Sequence, residues 1–84
     1  YYYSSGYNLA QAVRRSVLNS VNVRDRRVRK ARFYVLRKTS MPAILVETGY
    51  VTGREAAPKL SSPQHREEMA QGIANGILSY IKRR

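Results

Sequence analysis

The stretch Met41-Pro42-Ala43-Ile44-Leu45-Val46-Glu47-Thr48-Gly49 constrains the fold more than any other part of the chain. Pro42 opens a short, wholly apolar run, Ala43 to Val46, and a glycine follows soon after it. Such a run reads as a strand buried on both faces, the kind found inside a parallel sheet. Proline is tolerated at the first position of a strand because it need not donate to the ladder there. In open α/β sheets the ligand crevice lies beyond the carboxyl ends of the strands, and Glu47 stands at that end. Two readings of Glu47 are open at this point: a carboxylate placed for chemistry, or a buried carboxylate paired with one of the many arginines.

Carboxylates are scarce in this chain, which sharpens the question. The 84 residues carry 16 lysines and arginines against five acidic residues, with one histidine and no cysteine. That length allows one small domain with a modest core. Without cysteine there is no disulfide framework and no thiolate metal site, so the redox compartment is not readable. The longest apolar run is far short of the ~20 residues a membrane span needs. The chain opens on Tyr1-Tyr2-Tyr3 with neither an initiator methionine nor a secretory signal. Three β-prone aromatics at the start read as the tail of a strand in a piece excised from a longer protein. A formal charge of +11 implies polyanionic surroundings, such as nucleic acid, anionic lipid or an acidic envelope polymer.

Two helices are expected. From about Tyr7 to Asn19, Leu9, Val13 and Val17 recur every four residues with Ala10 beside them, the pattern of an amphipathic helix, and Ser4-Ser5-Gly6 is a turn able to cap it. Ser62 as N-cap and Pro63 at the first helical position start a second helix that runs to the C-terminus. Glu67 and Glu68 lie early in it and Lys82 to Arg84 at its end, the polarity the helix dipole favours. Met69, Ile73, Ile77 and Ile81 predict its core-facing stripe. Gly72 and Gly76 each cost up to ~1 kcal/mol in a helix interior relative to alanine. Two on one face point to close approach by another element. His65, on the first turn, reads as a surface residue, since a zinc site takes three or four protein ligands.

Between the helices, Val21–Arg32 carries Arg24, Arg26, Arg27, Arg29, Lys30 and Arg32 against Asp25 alone. It lacks helical periodicity and aromatic interleaving, which argues against a nucleic-acid-binding helix or stacking platform. The plain reading is a solvated loop, with a weak hold on a polyanion as the alternative. Phe33-Tyr34-Val35-Leu36 reads as a second short strand, and a short helix is expected from Thr52 to near Leu60.

The ordered series Tyr1-Tyr2-Tyr3-Ser4-Ser5-Gly6, Leu9-Ala10, Phe33-Tyr34-Val35-Leu36-Arg37, Met41-Pro42-Ala43-Ile44-Leu45-Val46-Glu47-Thr48-Gly49-Tyr50, Glu55-Ala56, Leu60 and Met69-Ala70-Gln71-Gly72-Ile73 closely resembles the C-terminal half of the zinc-dependent N-acetylmuramoyl-L-alanine amidases. These are bacterial cell-wall hydrolases of the class that includes the division amidases, and the resemblance covers essentially the whole chain. It implies an α/β fold, part of a three-layer sandwich with a mostly parallel sheet and helices on both faces. Residues 1–84 would supply the C-terminal strands and helices of one catalytic domain. Family members commonly follow the glutamate with Gly-Phe and a Ser/Thr-Asn pair, where this chain has Gly49-Tyr50 and Thr52-Gly53. They also often have glycine at the position of Arg27.

In that family the glutamate closing the Pro-x-x-Leu-Val-Glu-x-Gly segment is catalytic, which implies that role for Glu47. The zinc is held by two histidines and a glutamate from segments that precede the point where this chain begins. The resemblance therefore implies a zinc cofactor with its ligands upstream of Tyr1 and no metal site in this chain. Zinc polarises the scissile carbonyl and lowers the pKa of its water. Glu47 would take the proton from the attacking water and deliver it to the amine of L-alanine. Arg37, just past the second expected strand, is a candidate to meet a peptide carboxylate, or equally to form a structural ion pair with Glu47. The implied partners are peptidoglycan and the N-terminal half of the same domain, with no nucleic acid and no membrane span, in the periplasm, the cell envelope or outside the cell. The competing classes are a non-catalytic basic module for nucleic acid or an anionic wall polymer, and a non-catalytic relative that binds wall or regulates a partner.

Overall fold

The computed structural model describes residues 1–21, 25, 27–47 and 62–83. The expected turn at Gly49 and helix from Thr52 lie outside the described residues, as do Arg24 and Arg26. Among the described residues the elements in chain order are a 3-10 turn, Ser4–Gly6, and three α-helices: α1, Tyr7–Ser20; α2, Tyr34–Arg37; and α3, Pro63–Lys82.

Both long helices fall where the apolar spacing and the start signals put them. At the head of α3, the Ser62 side chain accepts from the His65 backbone N–H at 3.3 Å, and Pro63 fills the first turn. This satisfies one of the amides a helix start leaves unpaired. α1 starts differently from the expectation: neither serine caps it, and the 3-10 turn runs directly into it through Gly6. Gly6 is there for space. A Cβ on it would lie 2.5 Å from the carbonyl oxygen of Ala43 and 3.2 Å from the Cβ of Tyr1.

The core is the seam between α1 and α3, and its key residues have no side chains. A Cβ on Gly76 would stand 2.6 Å from the Cα of Val13, and one on Gly72 would stand 3.2 Å from the Cα of Val17. The higher α1 number meets the lower α3 number, so the helices run antiparallel. Ser16 Oγ donates to the carbonyl of Gly72 at 2.6 Å, tying the two helices together. Ala10, Ala12, Val13 and Met69 are buried around this contact, with Val21 and Leu36 completing the buried set. The close approach that two helical glycines predict is therefore present, and it offsets their cost in helix propensity.

The apolar stripe of α3 is shifted from the expectation. Met69 is buried, but Ile73 is half-buried and Ile77 and Ile81 are exposed, while Gly72 and Gly76 take the buried face. A row of residues spaced by four gains about 40° per step on a helix of 3.6 residues per turn, so by Ile81 it has wound about 120° away from Met69. Ile77, Leu78 and Ile81 form an open apolar face.

Phe33–Leu36 is not a strand. After an extended Phe33, residues Tyr34–Arg37 make the single turn α2, with the N–H groups of Leu36 and Arg37 both donating to the Phe33 carbonyl. Only Leu36 points inward; Tyr34 and Val35 are 71% and 64% exposed. One inward residue in four suits a helical turn, whereas a strand would bury alternate residues. The turn is held from two sides. Tyr3 OH donates to the Arg37 carbonyl at 2.9 Å, and Lys38 Nζ sits 5.6 Å from the centre of the Tyr34 ring.

Residues 42–47 carry no helix and form no strand ladder among the described residues, and Leu45 is exposed there, so the expected burial on both faces is not seen among the described residues. A strand of that kind needs a neighbour on each side and cover on each face. Tyr1–Tyr3 is likewise unladdered apart from one rung: the Tyr1 amine donates to the Arg29 carbonyl at 3.2 Å, and the Ala31 N–H donates to the Tyr1 carbonyl at 2.8 Å. One residue bonding to positions j−1 and j+1 of its neighbour is the pattern of a parallel pair.

Candidate active site

Glu47 is the exposed last residue of the extended segment 42–47. That segment is placed at its start by the contact between Ala43 and Gly6, so the N-terminus of α1 positions the run that carries the carboxylate. Among the described residues Glu47 takes part in no ion pair, and the sole ion pair is Arg14–Asp25. The reading of Glu47 as a buried, arginine-paired carboxylate is thus not met: the group is exposed and unpaired there. Arg37 ends α2 half-buried, with its carbonyl engaged by Tyr3, and it forms no ion pair with Glu47.

His65 sits half-buried on the first turn of α3, with its backbone N–H given to Ser62. Among the described residues no three of His, Cys, Asp and Glu converge as metal donors. No donor set of the three protein ligands that a zinc site takes at the least is thus assembled among the described residues.

The sequence reading missed the clasp that follows α1. Arg14 Nε and Nη2 donate to the two oxygens of Asp25 at 3.0 and 2.5 Å, a bidentate pair. Asp25 Oδ1 also accepts the Arg27 N–H at 2.9 Å. The hydrogen bonds from Arg14, and then from the Arg27 amide, hold the Asp25 carboxyl below its ordinary value of 3.8. The same pairing pushes the Arg14 guanidinium further up. Asp25 fixes Arg27 in the left-handed region, at φ 65°, where glycine is favoured. The signal that could have found this clasp is that Asp25 is the only aspartate in the chain.

Residues 1–79 match the N-acetylmuramoyl-L-alanine amidase family. The chain belongs to that family. It is similar to the solved structure of N-acetylmuramoyl-L-alanine amidase AmiC2 of Nostoc punctiforme, at 57% identity and a TM-score of 0.93, over 98% of this chain and 46% of that one. N-acetylmuramoyl-L-alanine amidase LytC of Bacillus subtilis is 33% identical over 96% of this chain and 18% of its own length. N-acetylmuramoyl-L-alanine amidase CwlM of Mycobacterium tuberculosis is 38% identical over 93% of this chain and 18% of its own length. The chain thus spans less than half the length of each of these three amidases. Among the described residues no helix is long and apolar enough to cross a membrane.

Proposed function

We propose that the protein hydrolyses peptidoglycan at the amide between N-acetylmuramic acid and L-alanine, with Glu47 as the acid–base group. The observation that carries this is the exposed Glu47 carboxylate, unpaired among the described residues at the end of the Pro42 segment, in a chain whose family is that of the amidases. Glu47 takes a proton from the attacking water and returns it to the departing amine nitrogen of L-alanine. General acid–base help of this kind is typically worth about 10²–10⁴-fold in rate. When bound, zinc would supply a polarised carbonyl and a more acidic water. We place its ligands upstream of Tyr1, as the likeness to the zinc-dependent amidases implies.

The same reading makes the segments around Tyr1 and 42–47 strands of a mostly parallel sheet in a three-layer α/β sandwich, completed by the N-terminal half of the domain, with Arg29–Ala31 at the sheet's outer edge. The rung between Tyr1 and its neighbour supports that order. We place the protein in the cell envelope or outside the cell, and Arg37 as a contact for a peptide carboxylate.

The test is Glu47→Gln in the full-length protein. The amide keeps the shape and cannot take the proton, so zinc content stays at parent level while release of peptide from purified sacculi falls at least about 100-fold. Near-parent activity in a zinc-loaded variant ends the assignment.

A further inference from the structure

Residues 27–32 form an exposed loop, as their composition suggests, and this loop is tethered at several points. Asp25, locked to Arg14 of α1, holds its start. Two backbone bonds from Tyr1 to Arg29 and Ala31 hold its middle, and Phe33 ends it as the cap of α2. Between these points Arg27, Arg29, Lys30 and Arg32 are all exposed, four cations in six residues. The single acid in the segment is used up, since Asp25 takes Arg14 on both oxygens and the Arg27 amide on one. Among the described residues none of the four cations has a carboxylate partner. Arg27 and Arg29, like Lys30 and Arg32, stand two residues apart, at most about 7 Å along the chain. Like charges held that close repel one another, and an anionic partner relieves the repulsion.

We infer that Arg27, Arg29, Lys30 and Arg32 form a preorganised cationic strip that holds the protein on its own polymeric substrate through the peptide-stem carboxylates of the wall. This rests on the peptidoglycan reading above and adds a binding surface to it. Arginine's planar fork suits a carboxylate, taken bidentate. A fixed backbone lowers the ordering cost of binding. Repeated carboxylates along a polymer suit a strip better than a single pocket would. Nucleic acid is the weaker candidate, because the strip is neither a helix that could enter a groove nor interleaved with aromatics.

The test is binding of the full-length protein to purified sacculi, by pelleting at 4 °C over short times. It makes no use of Glu47, so its failure and the failure of the catalytic assignment are separable. Binding is expected to weaken about 20- to 40-fold between 50 and 200 mM NaCl, as for about three ion contacts. Arg29→Gln/Lys30→Gln/Arg32→Gln loses most of that salt dependence and binds several-fold more weakly, whereas Arg29→Lys/Arg32→Lys, which keeps the charge, retains binding. Sacculi whose carboxylates have been amidated lose the native protein to the same extent, an arm that needs no variant to fold. Unchanged binding of the triple variant, or full binding to amidated sacculi, overturns the inference. So does an effect seen only on DNA or on anionic vesicles.

Discussion

Gly76→Ala tests the central packing contact of the molecule. The added Cβ would meet Val13 Cα at 2.6 Å and the Ala12 oxygen and Val13 nitrogen at 3.1 Å, all of them α1 backbone. Carbon atoms at rest sit about 3.5–4.0 Å apart, so α1 and α3 must separate by about 1 Å at this point. A gap of that size forfeits roughly a quarter to a half of each facing contact, and overpacking of this kind costs about 1–3 kcal/mol. Alanine's better helix propensity offsets up to about 1 kcal/mol. The net expectation is a loss of about 1–2 kcal/mol. In a domain of about 150–250 residues that lowers Tm by roughly 2–8 °C. Gly72→Ala is the control. Its Cβ would meet Val17 Cα at 3.2 Å, Ser20 Cβ at 3.3 Å and Val17 Cγ2 at 3.4 Å, so shifts of tenths of an ångström suffice. There the strain and the propensity gain cancel to within about 0.5 kcal/mol. Thermal unfolding of both variants in the full-length protein decides the matter. A Gly76→Ala protein as stable as its parent, or a more damaging Gly72→Ala, would refute the seam.

Further outcomes follow from other contacts. Arg27→Gly relieves a left-handed arginine and is expected to raise stability by about 1 kcal/mol, measured by denaturant midpoint; a loss would mean that the arginine side chain outweighs its backbone. Asp25 has a lowered pKa in the fold, so its stabilising pair is complete above the ordinary value of 3.8 and is lost as pH falls through the lower folded value. Asp25→Asn therefore flattens the acid limb of a stability–pH curve, and an unchanged limb would remove the pair as its cause. Gly6→Ala drives a Cβ into the Ala43 carbonyl and displaces the Glu47 segment, so activity falls by up to ~10²-fold; activity that merely tracks stability would count against the link. The 84-residue polypeptide alone exposes Ile77, Leu78, Ile81 and Tyr34 and is expected to associate, as read by sedimentation; a monomer with a cooperative thermal transition would contradict this.

What the sequence made legible was local. The extent of α1, the Ser62–Pro63 start of α3 and the Gly72/Gly76 approach each follow from rules that operate within a few residues. What it did not make legible depended on neighbours. Phe33–Leu36 has strand-forming residues, yet capping by Phe33 and the Tyr3 hydroxyl turn it into α2. The stripe through Ile77 and Ile81 obeyed a spacing of four, but the glycines and not the isoleucines took the buried face, because only they let the α1 backbone in. Glu47 could be placed at the end of its run from the sequence, and its exposure and lack of an ion partner among the described residues are what the structure added. The Arg14–Asp25 clasp bridges a helix and a loop, which no local pattern encodes.

A joint made of backbone against backbone has no side chains that can swing to absorb a displacement. A displacement of α3 is therefore expected to carry through α1 to Gly6, which lies against the run that ends in Glu47. Whatever leans on the far helix, a neighbouring domain or a regulatory protein, would be felt at the carboxylate.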